Sequence, residues 1–164
     1  MAATQDRYST AQIVLHWLIV ALFAFNYIVS DPIAEAFEAF WEEGSAAARA
    51  AGPGLAANAH VWVGIAVLVL MVVRLGLRST HGAPPPAGEG WLARAAHFGH
   101  LALYGLLLVI PMAGMVAWFQ GEETAAEVHG VLVNLALVVI AGHTAAALFH
   151  HFVLKDGLLR RMRP

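Results

Sequence analysis

Near its C-terminus the chain reads VHGVLVNLALVVIAGHTAAALFHH from Val128 to His151. The apolar residues run almost unbroken for about the twenty residues that a bilayer-spanning helix needs, yet His129, His143 and His150 interrupt them. An ionisable group is costly in hydrocarbon, so such residues face a bundle interior rather than lipid. His129 and His143 are separated by roughly 21 Å along a helix axis at about 1.5 Å per residue, and they differ by only about 40° in azimuth. One helix therefore offers two histidines to the same interior, one near each membrane face.

The rest of the chain is of the same kind. With 60% hydrophobic and 12% charged residues, it lies far from soluble domains, which average about 45–50% apolar and about 25% charged. It reads as an all-α integral membrane protein, a single domain over residues 1–164, and nothing in it points to nucleic acid. The formal net charge of −2 says little, because in a membrane chain the distribution of charge carries the information. Cysteine is absent, which excludes disulfides, thiolate metal sites, iron–sulfur clusters and covalent haem attachment through C-x-x-C-H.

Four spans are expected, at about residues 10–30, 59–78, 92–119 and 127–152. The first contains His16; it is too long and too polar for a signal-peptide core and is expected to be retained. Asp31-Pro32 ends it. The segment from Asp31 to Asn58 mixes Glu35, Glu38, Glu42 and Glu43 with Phe37, Phe40 and Trp41, as an amphipathic stretch at the interface would. The second span carries His60 at its start and Arg74 near its end. A Pro- and Gly-rich loop follows from Ser79. The third span has His97 and His100 near its start and Pro111 in its middle, where a kink is expected.

Basic residues set the orientation. In a four-helix bundle Arg7, Arg74, Arg78, Arg94, Lys155, Arg160, Arg161 and Arg163 fall on one side and only Arg49 on the other, so both termini are expected to be cytoplasmic. The outer connections are acidic, with Asp31, Glu35, Glu38, Glu42 and Glu43 in one and Glu122, Glu123 and Glu127 in the other.

This topology sorts the histidines by depth. His60 and His129 form an outer pair. His16, His143, His97 and His100 all enter from the inner side, more than one site needs, and spacing alone does not choose among them. Two histidines facing each other at one depth suit a haem, whose iron takes an axial nitrogen from each side; a pair at each level suits two stacked haems. The competing interpretation, histidines hydrogen-bonding between helices, weakens when four fall at two matched depths. A histidine-lined metal transporter is the alternative of another class, but its path would include carboxylates, and no Asp or Glu lies well inside a span. A structural anchor would need no matched histidines.

The chain resembles bacterial cytochrome b561, a four-helix inner-membrane dihaem protein. The resemblance rests on RYSTAQIVLHWL at Arg7–Leu18, HVWVGIAVLVLMVVRL from His60 to Leu75, and AHFGHLALYGLLLVIPMAG at Ala96–Gly114. The most specific block is H-x13-H from His129, followed by TAAALFHHFVLKDGLLRRM. It implies a multi-pass protein of the bacterial inner membrane, with two non-covalent b-type haems. His16 and His143 would ligate the inner haem iron, and His60 and His129 the outer, with His97 and His100 outside the ligand set.

It also implies electron exchange with the quinone pool, ubiquinone being the acceptor, and in some members oxidation of superoxide at the outer face. Around these sites, Gly64 shares the face of His60 and would admit a porphyrin edge or pack a helix. Arg74 would face the inner haem and pair with propionates, or snorkel to the interface. His150, with Ser9 and Gln12, could bind a quinone head-group or anchor the interface. The acidic outer connections disfavour an anionic donor and make a basic periplasmic redox protein the rival to superoxide.

The orientation predicts that reporter fusions at Gly44 and Gly82 land on opposite sides of the membrane. Labelling of both from the same side would refute it.

Overall fold

A computed structural model describes residues 7–42, 54–85 and 90–163, which among themselves form helices and connections with no strand. Helix α1 spans Thr10–Ile28, α2 Asp31–Phe37, α3 Gly54–His81, α4 Gly90–Gln120 and α5 Glu123–Phe149. A π-helical turn, Glu38–Glu42, follows α2. Another, His150–Leu154, extends α5, and a 3-10 helix at Leu158–Met162 closes the described chain. α1, α3, α4 and the α5 continuation are each long and apolar enough to cross a membrane. Few of their side chains are buried, and large apolar ones such as Trp62, Val131 and Val138 point outward. In water that surface would aggregate; in a bilayer it is the solvated face.

The ends of the helices have local causes. At the start of α1, Ser9 and Gln12 form a capping box: Ser9 Oγ accepts the Gln12 N–H at 3.3 Å, and Gln12 Oε1 accepts the Ser9 N–H at 3.0 Å. α1 stops at Ile28, and Pro32 sits in the first turn of a new helix, where its missing N–H is harmless. The amphipathic stretch expected over Asp31–Asn58 is thus α2 with its π turn. Its remainder through residue 53, including Glu43 and Arg49, lies outside the described residues, and Gly54 to Asn58 belong to α3. α3 also runs past the expected loop start at Ser79. The helix ends only where Gly82, at φ 75°, adopts the left-handed conformation and donates to the Arg78 carbonyl.

The helices pack in sequence, α1 on α3, α3 on α4 and α4 on α5, while α2 lies on α3. A cluster of Ile19, Val67 and Met71, flanked by Leu22, Tyr104 and Leu107, fills the middle depth. Ile19 is one turn beyond His16 and Val67 two turns beyond His60, so this cluster separates the two histidine levels. At the outer end the π turn is latched to the α4–α5 connection. Trp41 Nε1 donates to the Trp118 carbonyl at 3.1 Å, and Phe40 stacks on Trp118 with ring centroids 6.3 Å apart. Gly121, at φ 68°, makes room for this: a Cβ there would lie 2.8 Å from Trp41 Cε3. α4 continues through the buried Pro111 as one helix.

Candidate functional site

At the outer level the rings of His60, from α3, and His129, from α5, face each other with centroids 6.2 Å apart. His129 Nδ1 donates to the Ile110 carbonyl of α4 at 2.8 Å. That bond fixes the tautomer and leaves Nε2 as the lone-pair nitrogen. The ring reaches Ile110 because Gly114 stands one turn beyond it. A Cβ at Gly114 would lie 3.0 Å from His129 Nδ1 and 3.1 Å from Cε1. On the other side, Asn26 Nδ2 donates to the His60 carbonyl at 3.0 Å. Asn26 Oδ1 and His60 Nδ1 are both buried without a hydrogen-bond partner among the described residues.

At the inner level the rings of His16, from α1, and His143, from α5, have centroids 6.4 Å apart. His100 of α4 lies nearer to His143, at 5.1 Å, and its Nδ1 donates to the Ala96 carbonyl of its own helix at 2.6 Å. The Arg74 guanidinium acts electrostatically on His16, His100 and His143 together, and its Nη1 donates to the Gln12 carbonyl at 2.7 Å. The His97 ring stands edge-on to the neighbouring Phe98 ring, with centroids 5.6 Å apart.

These arrangements can be tested against what a haem requires. Two nitrogen–metal bonds of about 2 Å plus half an imidazole on either side place ring centroids roughly 6 Å apart. The outer pair and the His16–His143 pair both meet that separation, whereas His100 and His143 stand too close. Each pair is carried by helices that are not packing neighbours, α3 with α5 and α1 with α5, so a flat group can enter between them. A cavity of about 460 Å³ lies at the outer level, lined by His60, His129, Gly64, Asn26 and Gly114. That size is within the range of about 300–1,000 Å³ for ligand pockets. Among the described residues no group of three or more His, Asp or Glu is placed to hold a metal ion.

The remaining expected residues fall as follows. Gly64 lines the cavity, and a Cβ there would meet only Asn26 Nδ2, at 3.5 Å. Arg74 stands at the inner cluster, half-buried, with its guanidinium on the Gln12 carbonyl. Ser9 and Gln12 form the α1 cap, and Gln12 Nε2 also donates to the Gly82 carbonyl at 3.0 Å. His150 Nδ1 hydrogen-bonds Asp156 Oδ2. Slight burial would raise the Asp156 pKa, but the His150 and Leu158 hydrogen bonds hold it below the usual carboxylate value. No hydrogen bond among the described residues joins His150 to Ser9 or Gln12. Sequence reasoning missed Asn26 and Gly114. The only sequence signals were an amide inside an apolar span and a glycine one turn after the helix proline.

Histidines paired across the interior of a four-span bundle, at cofactor separation, define a membrane-embedded electron-transfer cytochrome. The chain belongs to the prokaryotic cytochrome b561 family, whose family model matches residues 7–164. Membership carries b-type haem binding and a multi-pass location in the bacterial inner membrane.

The chain is 40% identical to cytochrome b562 of Cereibacter sphaeroides over 96% of both chains. It is 30% identical to the probable superoxide oxidase CybB of Yersinia pestis over 96% of both. It is also 29% identical to cytochrome b561 homolog 1 of Escherichia coli K12, over 97% of this chain and 98% of that one. No solved structure matches the chain.

The Gly114 contact yields a prediction. Gly114→Ala pushes the His129 ring off Ile110, an overpacking that costs about 1–3 kcal/mol. Part of the haem absorbance should be lost, or its redox midpoint shifted, whereas Gly105→Ala, on the same helix with nothing within 4 Å of its Cβ, should match the parent. Redox titration of the purified proteins checks this.

Proposed function

We propose that the chain holds two non-covalent b-type haems, one between His60 and His129 near the periplasmic face and one between His16 and His143 near the cytoplasmic face. We further propose that it carries electrons between the periplasm and the quinone pool. The observation that supports this most is the near-equal ring separation of the two pairs, 6.2 and 6.4 Å, at two depths of one bundle. Haem supplies a one-electron iron couple when bound at such a pair. The chain's own residues hold it in place. Ile110 and Gly114 set the tautomer and plane of His129, Gly64 leaves room on the cavity wall, and Arg74 offers a cation for propionates at the inner level.

The acceptor proposed is ubiquinone at the inner end. Two electrons and two protons convert it to ubiquinol, and His150, backed by Asp156, is a proton donor on that face. Ser9 and Gln12 stand at the same end, ordered by their cap.

For the donor, the similarity to a probable superoxide oxidase supports superoxide, two anions each giving one electron and leaving as oxygen. A second reading has a specific observation in its favour. Glu38, Glu123 and Glu127 line the outer cavity, and a negative mouth suits a basic redox protein better than an anion.

Two experiments test these readings. His60→Ala and His129→Ala should each remove the outer haem and spare the inner, and His16→Ala should remove the inner. Loss of the inner haem in His100→Ala but not in His16→Ala would overturn that assignment. For the donor, haem reduction by superoxide should speed up as added salt screens the acidic mouth, whereas reduction by a basic protein should slow. Stopped-flow absorbance across ionic strengths separates the two, and no reduction by superoxide at any strength removes it as donor.

A further inference from the structure

Four arginines from opposite ends of the sequence meet at one end of the bundle. Arg7 stands three residues before α1, and Arg160, Arg161 and Arg163 lie on or just after the 3-10 helix. Together they line a cavity of about 470 Å³. Three long-range hydrogen bonds build it. Arg7 Nη2 donates to the Arg163 carbonyl at 3.0 Å, Arg161 Nη1 to the Pro85 carbonyl at 2.7 Å, and Trp17 Nε1 to the Met162 carbonyl at 3.0 Å.

The charge of this cluster is not answered within the described residues, where no carboxylate forms an ion pair with any of the four. Asp156 is close enough to Arg161 to feel its charge, but its oxygens are taken by His150 and the Leu158 N–H. Each guanidinium has five N–H donors, and among the described residues Arg7 and Arg161 each spend one donor on a carbonyl while Arg160 and Arg163 spend none. Like charges gathered this way repel one another unless an anion sits among them.

The depth of the cluster selects the anion. Trp17 lies in the second turn of α1, about 10 Å along the helix from its start at about 1.5 Å per residue. Its indole nevertheless holds Met162, so the C-terminal segment is drawn back to the level of the bilayer interface, where tryptophan is favoured. At that level the abundant anion is a lipid phosphate, and guanidinium forks match phosphate oxygens. We propose that Arg7, Arg160, Arg161 and Arg163 form a binding site for the phosphate of an anionic phospholipid, which fastens the two chain ends together. This site is independent of the histidine pairs and of how many haems they hold.

The test uses haem-loaded protein in detergent, incubated with phosphatidylglycerol, cardiolipin or phosphatidylcholine and read by native mass spectrometry. The parent should retain the anionic lipids and not phosphatidylcholine. Arg160→Gln/Arg163→Gln should lower retention roughly tenfold or more, with haem absorbance and lipid-free thermal unfolding unchanged; Arg7→Gln should lower it from the other chain end. Equal retention by variant and parent, or equal retention of phosphatidylcholine, overturns the proposal. Displacement of lipid by inorganic phosphate at equal concentration would make this a free-phosphate site and overturn the choice of lipid. Loss of haem from the double variant would assign the arginines to the cofactor instead.

Discussion

The hydrogen bond from His129 to the Ile110 carbonyl joins α5 to α4 across the interior and sets the outer level of the bundle. A neutral imidazole in a low-dielectric interior has one N–H to satisfy and one lone pair to offer. Spending the N–H on a backbone carbonyl decides which nitrogen is left to face His60. That geometry requires Gly114, since a side chain there would occupy the space of the ring. It also requires α4 and α5 to approach closely, which the tight Gly121 turn between them enforces. The same turn receives Trp41, so the outer cover and the histidine geometry share one support.

Apolar burial has a different role here from the one it has in water. No large side chain among the described residues is completely buried, and in lipid the outward apolar faces gain little by being covered. What orders the bundle is a short list of polar contacts reaching into it. Asn26 holds α1 to α3 through the His60 carbonyl, Arg74 holds α3 to α1 through the Gln12 carbonyl, and His129 holds α5 to α4. Between these levels the Ile19, Val67 and Met71 cluster keeps the two histidine depths apart.

The architecture was largely legible in the sequence because lipid imposes a simple rule. Every backbone polar group must be paired within a helix, so long apolar runs mark the spans, and ionisable residues within them mark the interior. The helical period then placed His129 and His143 on one face, and chain direction supplied His60 as the outer partner while leaving His16, His97 and His100 open at the inner level. The contacts among residues distant in sequence were not legible. Ser9 and Gln12 read as polar residues at a helix end, and the capping box that they form with each other, together with the bond from Gln12 to the Gly82 carbonyl, depends on contacts that composition does not show. On the proposed reading, His16 is preferred to His100 opposite His143 on a ring separation of 6.4 against 5.1 Å, a difference no helical periodicity resolves. Asn26 and Gly114 act through what they touch on another helix, and neither residue type announces that.

The charge distribution along the bundle gives the two histidine levels different electrical surroundings. The outer cavity is edged by Glu38, Glu123 and Glu127, while the inner cluster has Arg74 against it. On the proposed reading, an electron held at the outer level sits beside carboxylates and one held at the inner level sits beside a guanidinium. A single unit charge about 10 Å away, at an effective dielectric constant of about 20, is worth roughly 1.7 kcal/mol. The fixed charges of the chain therefore favour the electron at the inner level. The carboxylates that hinder an anionic donor at the mouth thus also drive inward whatever charge is delivered there. A negative mouth slows arrival of an anion and makes electron delivery to the outer level less favourable, and the electron recovers that cost when it passes inward to the level beside Arg74.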